Sequence, residues 1–185
     1  VSMRKTLGEH SANPKVLSIA NSTEVGTIYT PEEVKLLADF CHANDMYLHM
    51  DGCRLPNVVA ELGCNIKDLT INAGVDVLSF GGAKNGLMNA EAVVIFDAPK
   101  SSLLHMQKQV MQLNSKARYI SGQFIPYLRN GLWIKNAKRA NEFAKQIREV
   151  LEEKGVPLTQ QVVTNQIFCI LPKVAREILH QAGHQ

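Results

Sequence analysis

Two short apolar runs, each breaking into a loop that carries charge, constrain this chain more than any other feature. The run Tyr47–Met50 leads into Asp51-Gly52-Cys53-Arg54, and Val75–Phe80 leads into Gly81-Gly82-Ala83-Lys84-Asn85-Gly86. Apolar runs of this length, closed by glycine-containing loops, read as buried strands. A third such run, Val16–Ala20, precedes them. Between Val16–Ala20 and Tyr47–Met50 stands a helix start, Thr30-Pro31-Glu32-Glu33. It has an N-cap threonine, a proline in the first turn and a glutamate at the capping-box position. Val34, Leu37, Ala38 and Cys41 follow at helical spacing. Strand, helix and strand predict a βαβ unit, hence a parallel pair with a right-handed crossover. The fold class is therefore α/β. In open α/β sheets ligands bind beyond the carboxyl ends of the strands, which is where Asp51, Arg54 and Lys84 fall.

The chemistry suited to an aspartate, an arginine and a lysine at adjacent strand ends is that of pyridoxal phosphate. Lys84 would form the Schiff base with the cofactor aldehyde, helped by any burial that lowers its pKa. Asp51 would pair with the pyridinium nitrogen and keep the ring an electron sink. Arg54 is placed for the phenolate oxygen; its alternative is an ion pair with Asp51 or Glu61. For Lys84 alone the alternative is a solvated lysine in a glycine-rich turn, and for Asp51 a strand-end turn cap. The stretch is not a phosphate-binding P-loop, because Asn85 stands where that motif needs Ser or Thr.

Those two motifs, with Thr23-Glu24-Val25-Gly26-Thr27-Ile28-Tyr29 ahead of them, resemble the low-specificity threonine aldolases of the β-eliminating lyase group. The likeness runs from about Leu17 to Ala140 and is more diffuse towards Leu171. It implies a fold-type-I, pyridoxal phosphate-dependent architecture: a mainly parallel sheet flanked by helices, seven-stranded with one antiparallel strand, plus part of a smaller C-terminal α/β domain. It implies aldol cleavage of threonine or allo-threonine to glycine and an aldehyde, in a homodimer or homotetramer. Another lyase or an aminotransferase on the same fold is the alternative, as is an inactive truncated fragment. By the same resemblance Arg118 matches the position of an arginine that binds the cofactor phosphate, its alternative being a surface role beside Lys116, while Thr23, Glu24 and Thr27 resemble part of the active-site wall. Two positions depart from the pattern: Ala83 replaces a common threonine before the lysine, and Cys53 replaces the usual alanine between Gly52 and Arg54. The resemblance places the phosphate loop, the ring-stacking histidine and the substrate-carboxylate arginine outside this stretch.

The remaining chain reads as follows. Leu55–Leu62 is a helix ended by Gly63, and Ile66–Asn72 adds a turn or two. Glu91–Phe96 is a strand, antiparallel to its predecessor or at an edge. Ser101–Asn114 is an amphipathic helix whose Met106 and Met111 are core or subunit contacts. Ala117–Arg129 is a helix interrupted near Gly122 and Pro126. Trp133–Lys154 is a helix ended by Gly155. Gln166–Leu171 reads as a strand and Lys173–Ala182 as a helix. Two domains are expected, a partial large cofactor-binding domain over 1–128 and a partial small one over 129–185.

Composition excludes several other classes. Hydrophobic residues make up 45% and charged ones 20% of 185 residues, as in ordinary globular domains. A net charge of +3 is too small and scattered for nucleic acid. No apolar run is long enough to span a bilayer, and no signal peptide is visible. The four cysteines, 41, 53, 64 and 169, lack C-x-x-C spacing. They read as reduced thiols in a cytoplasmic protein, with Cys41 and Cys169 in the core. His180 and His184 have i, i+4 spacing, but Gln181 and Gly183 argue against a metal pair, so no metal is expected. His49 reads as a core or interface histidine. The abrupt start and end suggest a piece of a longer chain.

Overall fold

The computed structural model describes residues 13–97 and 102–184. Four strands, β1 (Val16–Ala20), β2 (Tyr47–Asp51), β3 (Val77–Gly81) and β4 (Glu91–Ile95), form one sheet in the order β1-β2-β3-β4. The first two pairings are parallel and the last is antiparallel. The βαβ expectation and the antiparallel β4 are both met; the sheet has four strands among the described residues, where seven were expected.

Helix α1 (Pro31–Ala43) begins as its sequence dictates. The Thr30 hydroxyl accepts from the Glu33 N–H at 3.3 Å, and the Glu33 carboxylate accepts from the Thr30 N–H at 2.8 Å. Helix α2 (Leu55–Leu62) carries Pro56 in its first turn and ends on Gly63 at φ +64°, a conformation natural to glycine. Two 3₁₀ turns, Ile66–Leu69 and Ile71–Ala73, follow.

One face of the sheet supplies Ile19, Leu48, Met50, Leu78 and Phe80 to a core completed by Val34, Ala38 and Cys41 of α1 and Leu55, Val58 and Val59 of α2. Each large side chain sunk there contributes about 1.5–3 kcal/mol. The buried Asp76 carboxylate accepts from the Leu48 N–H at 2.6 Å and lies 3.1 Å from His42 Nε2. The Asp76 N–H donates to the Leu48 carbonyl at 3.0 Å. This reciprocal pair sets the β2–β3 register, which puts Asp51 opposite Ser79.

Beyond the sheet, α3 (Leu103–Gln109), α4 (Arg118–Ser121), α5 (Phe124–Leu128), α6 (Leu132–Glu153) and α7 (Lys173–Gln181) follow. Asn130 and Gly131, both at positive φ, separate α5 from α6. The expected break near Gly122 is present between α4 and α5, and Pro126 sits inside α5. Helix α3 is shorter than the expected Ser101–Asn114, and Ser101 lies outside the described residues. No α3 residue is buried, and a helix this short depends on tertiary packing to extend. Gln166–Leu171 does not form a strand. It makes one antiparallel bridge, Leu158↔Cys169, beside bonds from Thr159 N–H to the Phe168 carbonyl and from Ile170 N–H to the Pro157 carbonyl. Pro157 offers no N–H to extend that ladder. Cys169 is correspondingly half-buried rather than in the core, whereas Cys41 is fully buried.

Helix α6 is held against α2 by a reciprocal amide pair. Asn57 Nδ2 donates to Asn141 Oδ1 and Asn141 Nδ2 donates to the Asn57 carbonyl, both at 2.9 Å, with both side chains buried. Asn141→Leu leaves the buried Asn57 side-chain amide without this partner. A loss of about 1–3 kcal/mol in unfolding free energy is expected, to be read from urea denaturation midpoints.

Candidate active site

Bare glycine backbone lets the β2 and β3 ends meet. The Gly52 N–H donates to the Ser79 carbonyl at 2.7 Å. A Cβ on Gly52 would stand 2.6 Å from Leu78 Cδ1 and 3.0 Å from the Ser79 oxygen. A Cβ on Gly81 would stand 2.9 Å from Cys53 Cα and 2.7 Å from Glu91 Oε2. Cys53, at the end of the β2 loop, therefore lies directly on Gly81, at the end of β3. Gly82 is walled by Leu87 Cδ1 and by the Ala90 carbonyl, 2.8 Å from its would-be Cβ. The Ala90 wall is backbone and does not yield, so Gly82→Ala is expected to lower stability by about 1–3 kcal/mol. Thermal melts compared with wild type check this.

Through that approach Asp51 and Lys84 come into one electrostatic cluster. Asp51, half-buried at the end of β2, accepts the Cys53 N–H at 2.9 Å. Burial raises its pKa. Hydrogen bonds from the Cys53 thiol and backbone, then the electrostatic influence of Lys84 and His49, outweigh burial and hold the carboxyl below its ordinary value. The Cys53 thiol is pushed up to about 11 by burial, then by its bond to Asp51 and that carboxylate's charge; Lys84 opposes the rise. Asp51 is thus an anion and Cys53 a neutral donor at neutral pH. Lys84 is exposed in the 3₁₀ turn Ala83–Asn85.

Arg54 is half-buried and occupies the N-cap position of α2. Among the described residues its guanidinium has no hydrogen bond or ion pair, and Glu61 is taken instead by Lys145 at 2.9 Å. Arg118, exposed at the start of α4, lies 5.0 Å over the Tyr119 ring. No bond among the described residues joins it to Asp51 or Lys84.

The Asn21–Tyr29 loop walls the Asp51 side. Asn21, fully buried, donates its N–H to the Asp51 carbonyl at 3.0 Å and closes the loop through two bonds to the Tyr29 backbone. The Thr23 and Thr27 hydroxyls bond each other at 2.7 Å, and the Ser22 hydroxyl reaches Gln166 Oε1 at 2.8 Å. An open cleft of about 390 Å³ is lined by Ser18, Ile19, Ala20, Thr23, Glu24, Tyr29 and Asp51. Thr27 and Lys84 do not line it.

Sequence reasoning missed three contributors. His49 is not a core residue. It is half-buried on the Asp51 face of β2, with Nδ1 2.7 Å from the Ser18 hydroxyl and Nε2 3.0 Å from that of Ser79. Its i, i+2 spacing from Asp51 on a strand was the available signal. Glu91 accepts the Ala83 N–H at 3.2 Å, and Asn85 is buried behind Lys84. Asn85 carried no sequence signal, because it acts through the distant partners Tyr127 and Trp133. Among the described residues there is no cluster able to hold a metal ion, and His180 sits in the last turn of α7.

An anionic carboxylate, an exposed primary amine and an unpaired guanidinium around glycine-lined strand ends fit a planar aldehyde cofactor with a basic ring nitrogen. Comparison with known proteins bears on the same region. A low-specificity L-threonine aldolase of Pseudomonas sp. (strain NCIMB 10558) is 37% identical over 176 residues, 94% of this chain and 51% of that protein. The solved structure of a Leishmania major threonine aldolase superposes with a TM-score of 0.89 at 29% identity, covering 97% of this chain and 53% of that one. A PLP-bound C–S lyase from Staphylococcus hominis superposes with a TM-score of 0.59 at 15% identity, over 92% and 47% of the two chains; that likeness speaks for the fold alone. The chain thus spans about half the length of the curated relatives it matches, and its fold is that of the fold-type-I PLP-dependent enzymes. The sequence profile of the beta-eliminating lyases matches residues 2–173, and the chain belongs to that family.

Proposed function

We propose that the protein cleaves threonine or allo-threonine to glycine and an aldehyde with pyridoxal phosphate as cofactor. The observation that carries this reading is the glycine-enabled approach that gathers Asp51 and Lys84, in a chain 37% identical to low-specificity threonine aldolases. When bound, pyridoxal phosphate supplies the electron sink for breaking the Cα–Cβ bond. Lys84 Nζ would be the amine that holds the cofactor aldehyde covalently. The Asp51 carboxylate would hold a proton on the cofactor's ring nitrogen. Its depressed pKa supports this role, since a neutral carboxyl would not hold that proton. Arg54, which has no competing partner among the described residues, would pair with the phenolate oxygen, and Arg118 would hold the phosphate. Thr23 and Glu24, lining the cleft beside Asp51, form part of the substrate wall, with Thr27 buttressing Thr23.

The same reading makes residues 1–128 part of the cofactor domain and 129–185 part of a smaller one, in a homodimer or homotetramer. Four unpaired cysteines suit a reducing compartment, so we place the protein in the cytoplasm. No helix among the described residues is long and apolar enough to cross a membrane.

The test is incubation of the purified protein with pyridoxal phosphate and L-threonine. Glycine and acetaldehyde in equal amounts are expected, with acetaldehyde read through an alcohol dehydrogenase couple. Keto-acid or ammonia release without acetaldehyde would overturn the aldolase reading in favour of a transaminase or eliminating lyase.

A further inference from the structure

We infer that Asn85 is a positioning residue for Lys84, fixing the turn that presents the amine by latching it to α5 and α6. This deepens, and rests on, the cofactor reading above. Lys84 itself is exposed, yet both of its neighbours are tied. On one side the Ala83 N–H donates to Glu91 Oε1 at 3.2 Å. On the other, Asn85 is buried and its side-chain amide donates twice, to the Tyr127 hydroxyl at 2.7 Å and to the Trp133 carbonyl at 2.8 Å. The Asn85 carbonyl accepts from Asn136 Nδ2 at 2.9 Å. Within the turn, the Asn85 and Leu87 N–H groups both donate to the Gly82 carbonyl at 3.0 Å.

The anchors are themselves rigid. Tyr127 is 1% exposed, and its ring packs 6.4 Å from Phe80 and 6.2 Å from Phe124; Trp133 packs edge-on 6.1 Å from Phe80. Gly86, at φ +107°, leaves room for Asn136: a Cβ there would stand 2.8 Å from Asn136 Nδ2. Lys84, whose side chain is unbonded among the described residues, therefore extends from a turn pinned at Asn85 by residues 42 to 51 positions downstream. Covalent capture of an aldehyde then orders a side chain and not a backbone segment. Freeing the backbone of about one residue costs enough to weaken such capture about tenfold.

Asn136→Ala removes one latch from a half-buried side chain, and Asn85→Ala removes the centre of the network. Each is compared with wild type and with Asn141→Leu, which weakens the α2–α6 contact without touching the turn. The readouts are thermal melting, amide hydrogen exchange at Asn85 and Leu87 in cofactor-free protein, and the pyridoxal phosphate concentration for half-maximal borohydride-fixed label on Lys84. In Asn136→Ala we expect a cooperative melt, exchange faster by about tenfold at the turn, and half-saturation raised about tenfold. Asn141→Leu should melt earlier yet label as wild type. Where Asn85→Ala does not fold, Tyr127→Phe replaces it, because it removes the hydroxyl that accepts the Asn85 amide and keeps the ring. Folded Asn136→Ala and Tyr127→Phe that both keep wild-type exchange and wild-type half-saturation overturn this inference alone. Wild-type protein that takes no label at Lys84 overturns the cofactor reading, and with it the positioning role.

Discussion

Lys84→Ala is expected to lose the pyridoxyl label at this position entirely and to lower threonine cleavage by about a thousandfold or more, the scale on which loss of a covalent catalytic group acts. The fold should be spared. Lys84 is exposed, and its side chain makes no hydrogen bond or ion pair among the described residues, so stability should stay within about 0.5 kcal/mol of wild type. Lys84→Arg separates charge from chemistry. It keeps the positive charge that helps hold Asp51 ionised, but a guanidinium does not condense with an aldehyde at neutral pH. Both variants should therefore be inactive, while only the alanine variant relaxes the depression of the Asp51 pKa. Peptide mapping after borohydride reduction, with acetaldehyde release measured in parallel, decides the matter. Label of undiminished stoichiometry on another lysine, with normal turnover, would show that Lys84 is not the anchor.

The strand-end geometry behind this expectation was legible in the chain because it rests on local signals. Thr30, Pro31 and Glu33 announce α1 within four positions, and Gly63 announces the end of α2; both elements form as their caps dictate. Lys84 and Asp51 were readable because their neighbouring glycines have one plain physical use, close backbone approach, and the clashes at Gly52, Gly81 and Gly82 bear that use out. What stayed hidden depends on partners far along the chain. Nothing near Asn85 tells that its amide will meet Tyr127 and Trp133. Nothing near Asn57 tells that Asn141 will answer it. The apolar run Gln166–Leu171 has strand composition, but strand formation needs a partner edge, and among the described residues it finds only the short stretch 157–159. Helix α3 fails to extend for the same reason, since its Met and Leu side chains find no buried surface.

The Asp51 carboxylate sits where local and long-range features meet, and Asp51→Asn tests both. Asparagine keeps an oxygen for the Cys53 N–H, which Asp51 now accepts at 2.9 Å, so the loop should retain its shape. The charge is lost, and with it the means of holding a proton on the cofactor ring nitrogen. Turnover should fall about 10²–10⁴-fold, while Lys84 still takes the borohydride-fixed label. Two titrations should move with it. The wild-type carboxyl is depressed below its ordinary 3.8. Its stabilising contribution is thus present above about pH 3.8 and is lost as pH falls through the lower folded value. The asparagine variant lacks that increment and should show a shallower loss of stability in acid. Cys53, raised to about 11 partly by its bond to Asp51 and by that negative charge, should ionise at lower pH in the variant. The pH dependence of its alkylation, read by peptide mapping to distinguish it from Cys41, Cys64 and Cys169, reports this shift without any cofactor. Unchanged Cys53 alkylation would mean that the Cys53 thiol is not bonded to the Asp51 carboxylate. Unchanged turnover beside shifted alkylation would remove Asp51 from the reaction and leave it a structural cap of the β2 end.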